Sequence, residues 1–215
     1  MIVTCLGHSK FLIELASGYR LVTDPFDASV GYPVQPLKAD AALVSHYHHD
    51  HDAVDTVEAA KVLDKAGDWQ LTDVCHVRAL PSWHDDAQGT KRGPNLIFSI
   101  RAEGLHLVHL GDNGHVPDQQ LAEQIGPADL LMVPVGGHFT INASQAREIC
   151  EQLNARVILP MHYRTEVNAG WPIAPVEEFL SLFPEKAETL PLLRVTQEDL
   201  GCQPHLALLQ GWSKV

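Results

Sequence analysis

Histidine and aspartate crowd into one short stretch of this chain, where HYHHDH occupies residues 46–51. Neutral imidazole and carboxylate oxygen are the donors that zinc, manganese and iron accept, so a segment this dense in both points to a metal site. His46 and His48 stand at alternate positions and can face one pocket, which turns His49 elsewhere. A His-rich tract can also be a solvated loop that holds nothing in particular. The rest of the chain weighs against that, because further donors stand downstream in equivalent surroundings: His84 in PSWHDD, Asp112 in HLGDNGH and His162 in ILPMHYR.

Something rigid must carry these donors to one place. The apolar run AALV at 41–44 reads as a buried strand leading into the histidine cluster. CHVRAL precedes His84, LHLVHL precedes Asp112 and RVILP precedes His162, so each donor lies just past the end of a predicted strand. Repetition of that placement predicts convergence on one edge of a sheet. IVTCL, KFLIEL, YRLVTD and LLMVPV read as further strands. TVEAAKVLDKAG reads as an amphipathic helix ending at Gly67, and DQQLAEQI, ASQAREICEQLN and APVEEFLSLF as later helices. Periodicity alone supports mixed α and β, strand-rich first and alternating later, with no internal repeat.

At this point the chain resembles the metallo-β-lactamase superfamily. The resemblance runs through LGHSKFLIE, TDPF, HYHHDH, WHDDAQGTKRGPNLIF, HLGDNGH, LLMVPVGGHFTINASQA and VILPMHYRT, nearly the whole length. It looks closest to the compact zinc-dependent hydrolases related to ascorbate-6-phosphate lactonase-like enzymes. It implies a four-layer αββα sandwich and two divalent metal ions, zinc first, with manganese or iron as alternatives. It further implies that His46, His48 and His84 hold one ion, that Asp50, His51 and His162 hold the other, and that Asp112 bridges them beside a nucleophilic hydroxide; in the hydrolytic reading Asp50, the candidate catalytic carboxylate, or the second ion manages the proton and the leaving group. Dedicated β-lactam-degrading members often place a cysteine where Asp112 stands, so HLGD points to the general hydrolases instead.

Residues around this ligand set carry weaker expectations. Asp24, after YRLVT, looks like the buried acid that fixes the tautomer of a ligand histidine. His8 in LGHS matches a position near the metals in related proteins, and serves either structure or catalysis. His109 and His115 flank Asp112 without being expected as ligands. His138 in VGGHFT departs from the family pattern and faces either substrate or solvent, while Gly136 and Gly137 suit a tight turn close to the metals. The loops GYPVQPLK and NAGWPI, with Tyr32 and Trp171, are candidate apolar walls. Lys91, Arg92 and Arg164 are candidate contacts for an anionic substrate.

Composition bounds what such a site can serve. A chain of 215 residues with 45% hydrophobic content suits one domain spanning 1–215. No apolar run approaches the roughly 18 residues that cross a bilayer, and no leader pattern opens the chain, so a cytoplasmic protein without membrane contact is expected. The formal charge of −12 opposes a nucleic-acid partner and favours a small-molecule substrate. Cys5, Cys75, Cys150 and Cys202 form no CxxC pair and are expected as buried free thiols. Oligomeric state leaves no mark on the sequence.

Three function classes follow: a dinuclear hydrolase of a small ester, lactone, amide or phosphodiester; an iron-dependent oxidoreductase on the same ligands; and a metal-stabilised binding or regulatory protein without turnover. The chain has no flavodoxin-like segment or glycine-rich flavin loop, which weighs against the second, and the intact donor set weighs against the third.

Overall fold

Strands that alternate inward and outward side chains build two six-stranded sheets in the computed structural model, which describes residues 1–198, 200–202 and 205–213. The first sheet runs in the order β13 (Leu193–Arg194), β1 (Ile2–Gly7), β2 (Lys10–Glu14), β3 (Arg20–Thr23), β4 (Leu37–Leu43) and β5 (Val57–Leu63). The second runs β11 (Val157–Met161), β10 (Leu130–Pro134), β9 (Leu105–His109), β8 (Pro94–Ala102), β7 (Cys75–Trp83) and β6 (Gly67–Thr72). A small parallel pair, β12 (Glu188–Leu190) with β14 (Ala207–Leu209), completes the strands.

The period of two divides the apolar residues between layers. Val3, Ile13, Leu21 and Leu43 of the first sheet meet Val77, Phe98, Leu107 and Met132 of the second in one core. Fully burying one such side chain contributes about 1.5–3 kcal/mol, so this shared layer dominates the cohesion of the two sheets. The opposite face of the second sheet, with Ile97, Val108, Leu131 and Ile158, is covered by α1 (Gln119–Ile125), α2 (Ala143–Gln152) and α3 (Val176–Leu180). Strands β9, β10 and β11 are parallel and buried on both sides, which explains why LLMVP and VILPM are wholly apolar; in LHLVH the two histidines are buried as well. Asp118 caps α1, and Asn142 with Gln145 forms a capping box that starts α2.

One predicted element is wrong in kind. TVEAAKVLDKAG starts at the last residue of a 3-10 turn, Val54–Thr56, and continues as the edge strand β5, and β6 begins at Gly67. Its alanines, glutamate and lysines favour a helix locally, but pairing along β4 from Leu37–Val57 to Leu43–Leu63 wins, helped by the Lys38–Glu58 ion pair across the strands. The α-helices among the described residues therefore all pack on the second sheet, and the outer face of the first carries only a small cluster around Val22, Ala42 and Val57. Cys5, Cys75 and Cys150 are buried free thiols as expected, whereas Cys202 is exposed. No described helix is long and apolar enough to cross a membrane.

Candidate metal centre

Strand direction explains why distant donors meet. In the first sheet β1 and β3 both run opposite to β2, and β4 runs with β3. In the second, β7 and β9 both run opposite to β8, and β10 and β11 run with β9. The C-terminal ends of β1, β3 and β4 thus share one edge, as do those of β7, β9, β10 and β11. His8, Asp24, His46, His84, Asp112 and His162 each follow one of these ends within three residues. Three of them, His8, Asp24 and His162, adopt left-handed backbone with φ of 52°, 38° and 52°. Such conformations are unfavourable for non-glycine residues and persist where surrounding packing enforces them, typically at functional sites.

The donors gather around Asp112. Its Oδ2 lies 3.1 Å from His162 Nε2 and 3.3 Å from His84 Nε2, and its Oδ1 lies 3.2 Å from His51 Nε2. His46 Nε2 is 3.9 Å away. Ligand atoms of His46, His48 and His84 lie within 4.8 Å of one another, as do those of His8, Asp50, His51 and His162, and those of His46, His51 and Asp112. The Nε2 atoms of His46, His51 and His162 and Oδ1 of Asp112 are buried without a hydrogen-bond partner. Buried polar atoms are normally satisfied, so four orphans facing one spot fit a bound cation. The donor set of imidazole nitrogen and carboxylate oxygen suits a divalent ion of the zinc, manganese or iron kind.

A second layer of contacts aims these groups. Asp24 is fully buried; its Oδ2 lies 2.9 Å from His51 Nδ1 and accepts from Ser45 Oγ at 2.8 Å, and Ser45 Oγ lies 2.9 Å from His46 Nδ1. This is the tautomer-fixing position expected of Asp24, which serves His51 directly and His46 through Ser45. Asn95 accepts from the Asp112 backbone N–H at 3.0 Å and donates to Leu110 O at 2.9 Å, pinning the aspartate's turn. His109 is not brought among the donors: its Nε2 lies 2.9 Å from Ser9 O, and its Nδ1 accepts from Gly111 N–H. His115 instead meets Ser82 and the Val116 carbonyl. Gly114 and Gly136 permit the tight approach of the loops. A Cβ on Gly114 would fall 2.3 Å from Asp85 N, and one on Gly136 would fall 2.2 Å from His162 O.

Burial and neighbouring charge set the protonation of the group. Burial drives the imidazole of His46 down to about 3 and that of His8 down to about 4, so both are neutral donors near pH 7. Burial would also depress His51, but Asp112 and Asp24 on either side outweigh it and hold its imidazole well above the ordinary value. Burial would raise the carboxyl of Asp50, yet His51 and the 3.1 Å contact with His8 Nε2 hold it below the usual carboxylate range.

A cavity of about 530 Å³ opens over the donors. His48, Asp50, His84, Asp112 and His162 form its floor, with Lys91, Arg92, Phe139 and Trp171 around the walls. Several expectations change here. Arg164 is exposed and does not line the cavity; its backbone N–H donates to Ala174 O, and it forms a β-bridge with Pro175. His138 is exposed with φ of 56°, and it is the next residue, Phe139, that reaches the cavity. Tyr32 is buried away from it, bonded to Thr165 and packed on Phe26 and Trp212. His49 also borders the cavity but belongs to none of the donor groups. Sequence reasoning missed Asn95, Ser45 and Phe139, which occupy ordinary strand and loop positions and have no ligand-type spacing to flag them.

Comparison with known proteins shows the family. Residues 2–162 match the beta-lactamase superfamily domain. A UPF0173 metal-dependent hydrolase of Thermococcus onnurineus is 32% identical, over 88% of this chain and 95% of that one. A Thermotoga maritima protein described as a Zn-dependent hydrolase of the metallo-beta-lactamase superfamily superposes with a TM-score of 0.77 at 32% identity, over 97% of both chains. The diiron beta-hydroxylase CmlA of Streptomyces venezuelae shares the fold alone, with a TM-score of 0.64 at 15% identity over 97% of this chain and 52% of that one. The chain thus belongs to the beta-lactamase superfamily, as an enzyme of its UPF0173 metal-dependent hydrolase group.

Proposed function

We propose that this hydrolase works with two divalent ions, zinc first, on a small molecule bound in the cavity above Asp112. The observation that carries the reading is the Asp112 carboxylate, buried between histidines from separate segments and both sheets, with partnerless nitrogens on either side. His46, His48 and His84 would hold one ion, Asp50, His51 and His162 the other, and Asp112 both. What divalent ions supply at such a site is an acidified water and polarisation of the oxygen of the bond under attack. The residues do the rest. Asp24 and Ser45 keep His51 and His46 in the tautomer that presents Nε2. Asp50, at the cavity floor and 3.1 Å from His8 Nε2, would take a proton from the attacking water and return it to the leaving group. Trp171 and Phe139 exclude water from the walls. The formal charge of −12 works against a nucleic-acid substrate and favours an ester, lactone, amide or phosphodiester of modest size.

The test is elemental analysis of protein reconstituted in zinc, manganese or iron, coupled to a panel of such substrates. About two ions per chain, with turnover abolished by chelation, is the expected result. Well under one ion per chain would sink the proposal, and turnover that requires redox cycling of iron would replace hydrolysis with oxidation.

A further inference from the structure

The loop between His84 and β8 is built to hold a single free cation at the cavity wall. Asp85, buried at the start of that loop, accepts from four backbone N–H groups, those of Ala87 at 2.8 Å, Gly89 at 2.9 Å, Lys91 at 3.0 Å and Arg92 at 2.8 Å. One carboxylate therefore folds residues 85–92 into a rigid arc, beginning next to a metal donor and ending at Arg92. The two cations on the arc differ. Lys91 also borders the cavity, but its Nζ is paired with Asp86 Oδ1 at 2.6 Å. Arg92 is half-buried, lies over the ring of Phe139 at 5.4 Å, and pairs with no carboxylate among the described residues. Stacking on an aromatic ring leaves the guanidinium edge, with its fork of N–H donors, unused. In a chain with 27 acidic residues against 15 basic ones, a guanidinium that reaches a cavity wall without pairing with any described carboxylate calls for an anion from outside.

We infer that Arg92 selects substrates bearing one carboxylate on a flat apolar body, the carboxylate held by the guanidinium and the body lying between Phe139 and Trp171. The inference rests on the proposed hydrolytic reading of the same cavity. Fork geometry favours the carboxylate: one guanidinium that pairs with no described acid offers one bidentate fork, which a planar carboxylate fills with both its oxygens. The scissile bond then lies on the side of the ligand away from Arg92, over Asp112 and His162.

Binding tests this without turnover. Zinc-loaded protein is titrated calorimetrically with 2-naphthoate, with its neutral methyl ester, and with 2-naphthylphosphonate; zinc content is measured on every variant. Expected is roughly tenfold or greater preference for naphthoate over the ester, lost in Arg92→Ala and partly kept in Arg92→Lys, with Lys91→Ala close to wild type. Equal affinity for acid and ester, or an acid preference that survives Arg92→Ala, overturns the inference. A greater loss for the phosphonate than for naphthoate in Arg92→Ala overturns the assignment to a carboxylate, and a tenfold loss in Lys91→Ala overturns the single-cation argument. Failure of the hydrolytic reading would show separately, as missing zinc or missing turnover with the naphthoate preference intact.

Discussion

His48 and His49 are neighbours of identical chemistry in different circumstances. The ring of His48 lies 4.6 Å from that of His46 and 5.0 Å from that of His84, whereas His49 has a side chain 70% exposed and a ring 6.5 Å from Trp171. His48→Ala should weaken zinc binding by roughly a hundredfold or more, and His49→Ala by no more than a few-fold. Calorimetric titration of both variants decides it, and comparable losses would mean that the cluster is being read in the wrong register. His51 carries a pH prediction. Its imidazole is raised in the metal-free fold by Asp112 and Asp24, so it holds a proton that an incoming cation must expel. Protonation competes with the metal, so affinity rises with pH until the metal-free His51 itself deprotonates, and falls as pH drops. At pH 7 about one proton or more should be released per chain on zinc binding. Zinc titrations in buffers of different ionisation heat measure this, and heats that do not depend on the buffer would contradict it. The donors were legible from sequence because ligand chemistry limits the residue types and strand ends limit the places. Arg164 and Arg92 were not separable in that way, since both sit in loops, where no periodicity says which side chain turns to the cavity.

Elements decide how closely those donors meet. The turn after β9 and the loop after β7 touch where Gly114 N–H donates to Trp83 O at 2.9 Å, and a Cβ at Gly114 would sit 2.3–2.4 Å from Asp85 N, Asp85 Cα and His84 C. Those are backbone atoms and cannot swing aside. Gly114→Ala should therefore push His84 and Asp112 apart, lowering stability by about 1–3 kcal/mol and reducing zinc affinity in the same variant. Denaturant unfolding of the metal-free protein, followed by zinc titration, separates the two effects. An unchanged midpoint would show that the loops are not in the contact described. The strands bearing the donors were readable because each is a short apolar run bounded by turn residues. The segment 56–67 was misread because an edge strand half open to solvent has no clean alternation: β5 buries Val57 and Leu63 and exposes Val62, a pattern that local helix propensity imitates. Only the partner strand β4, remote in character from that segment, settles its state.

At the scale of the molecule, the centre lies across the seam between the two sheets. The first contributes His8, His46, Asp50 and His51 from the ends of β1 and β4, and the second contributes His84, Asp112 and His162 from β7, β9 and β11. The shared core joins the sheets below, and at this edge the contact consists of buried acids and imidazoles whose facing atoms are partly unsatisfied. Bound ions would replace that deficit with bonds running from one sheet to the other, so they should act as a clamp as well as a reaction centre. Ligand binding to the folded state alone stabilises it by about 2.7 kcal/mol at a hundredfold excess over the dissociation constant. Zinc loading should accordingly raise the unfolding midpoint, and chelation should reverse it. The diagnostic readout is where protection appears. Amide hydrogen exchange should slow on zinc loading at the C-terminal ends of β1 and β4 and, in parallel, of β7, β9 and β11, while β5 and β6 at the sheet margins change little. Protection confined to one sheet would show that the ions are held by that sheet alone, and that Asp112 does not connect the two halves of the ligand set.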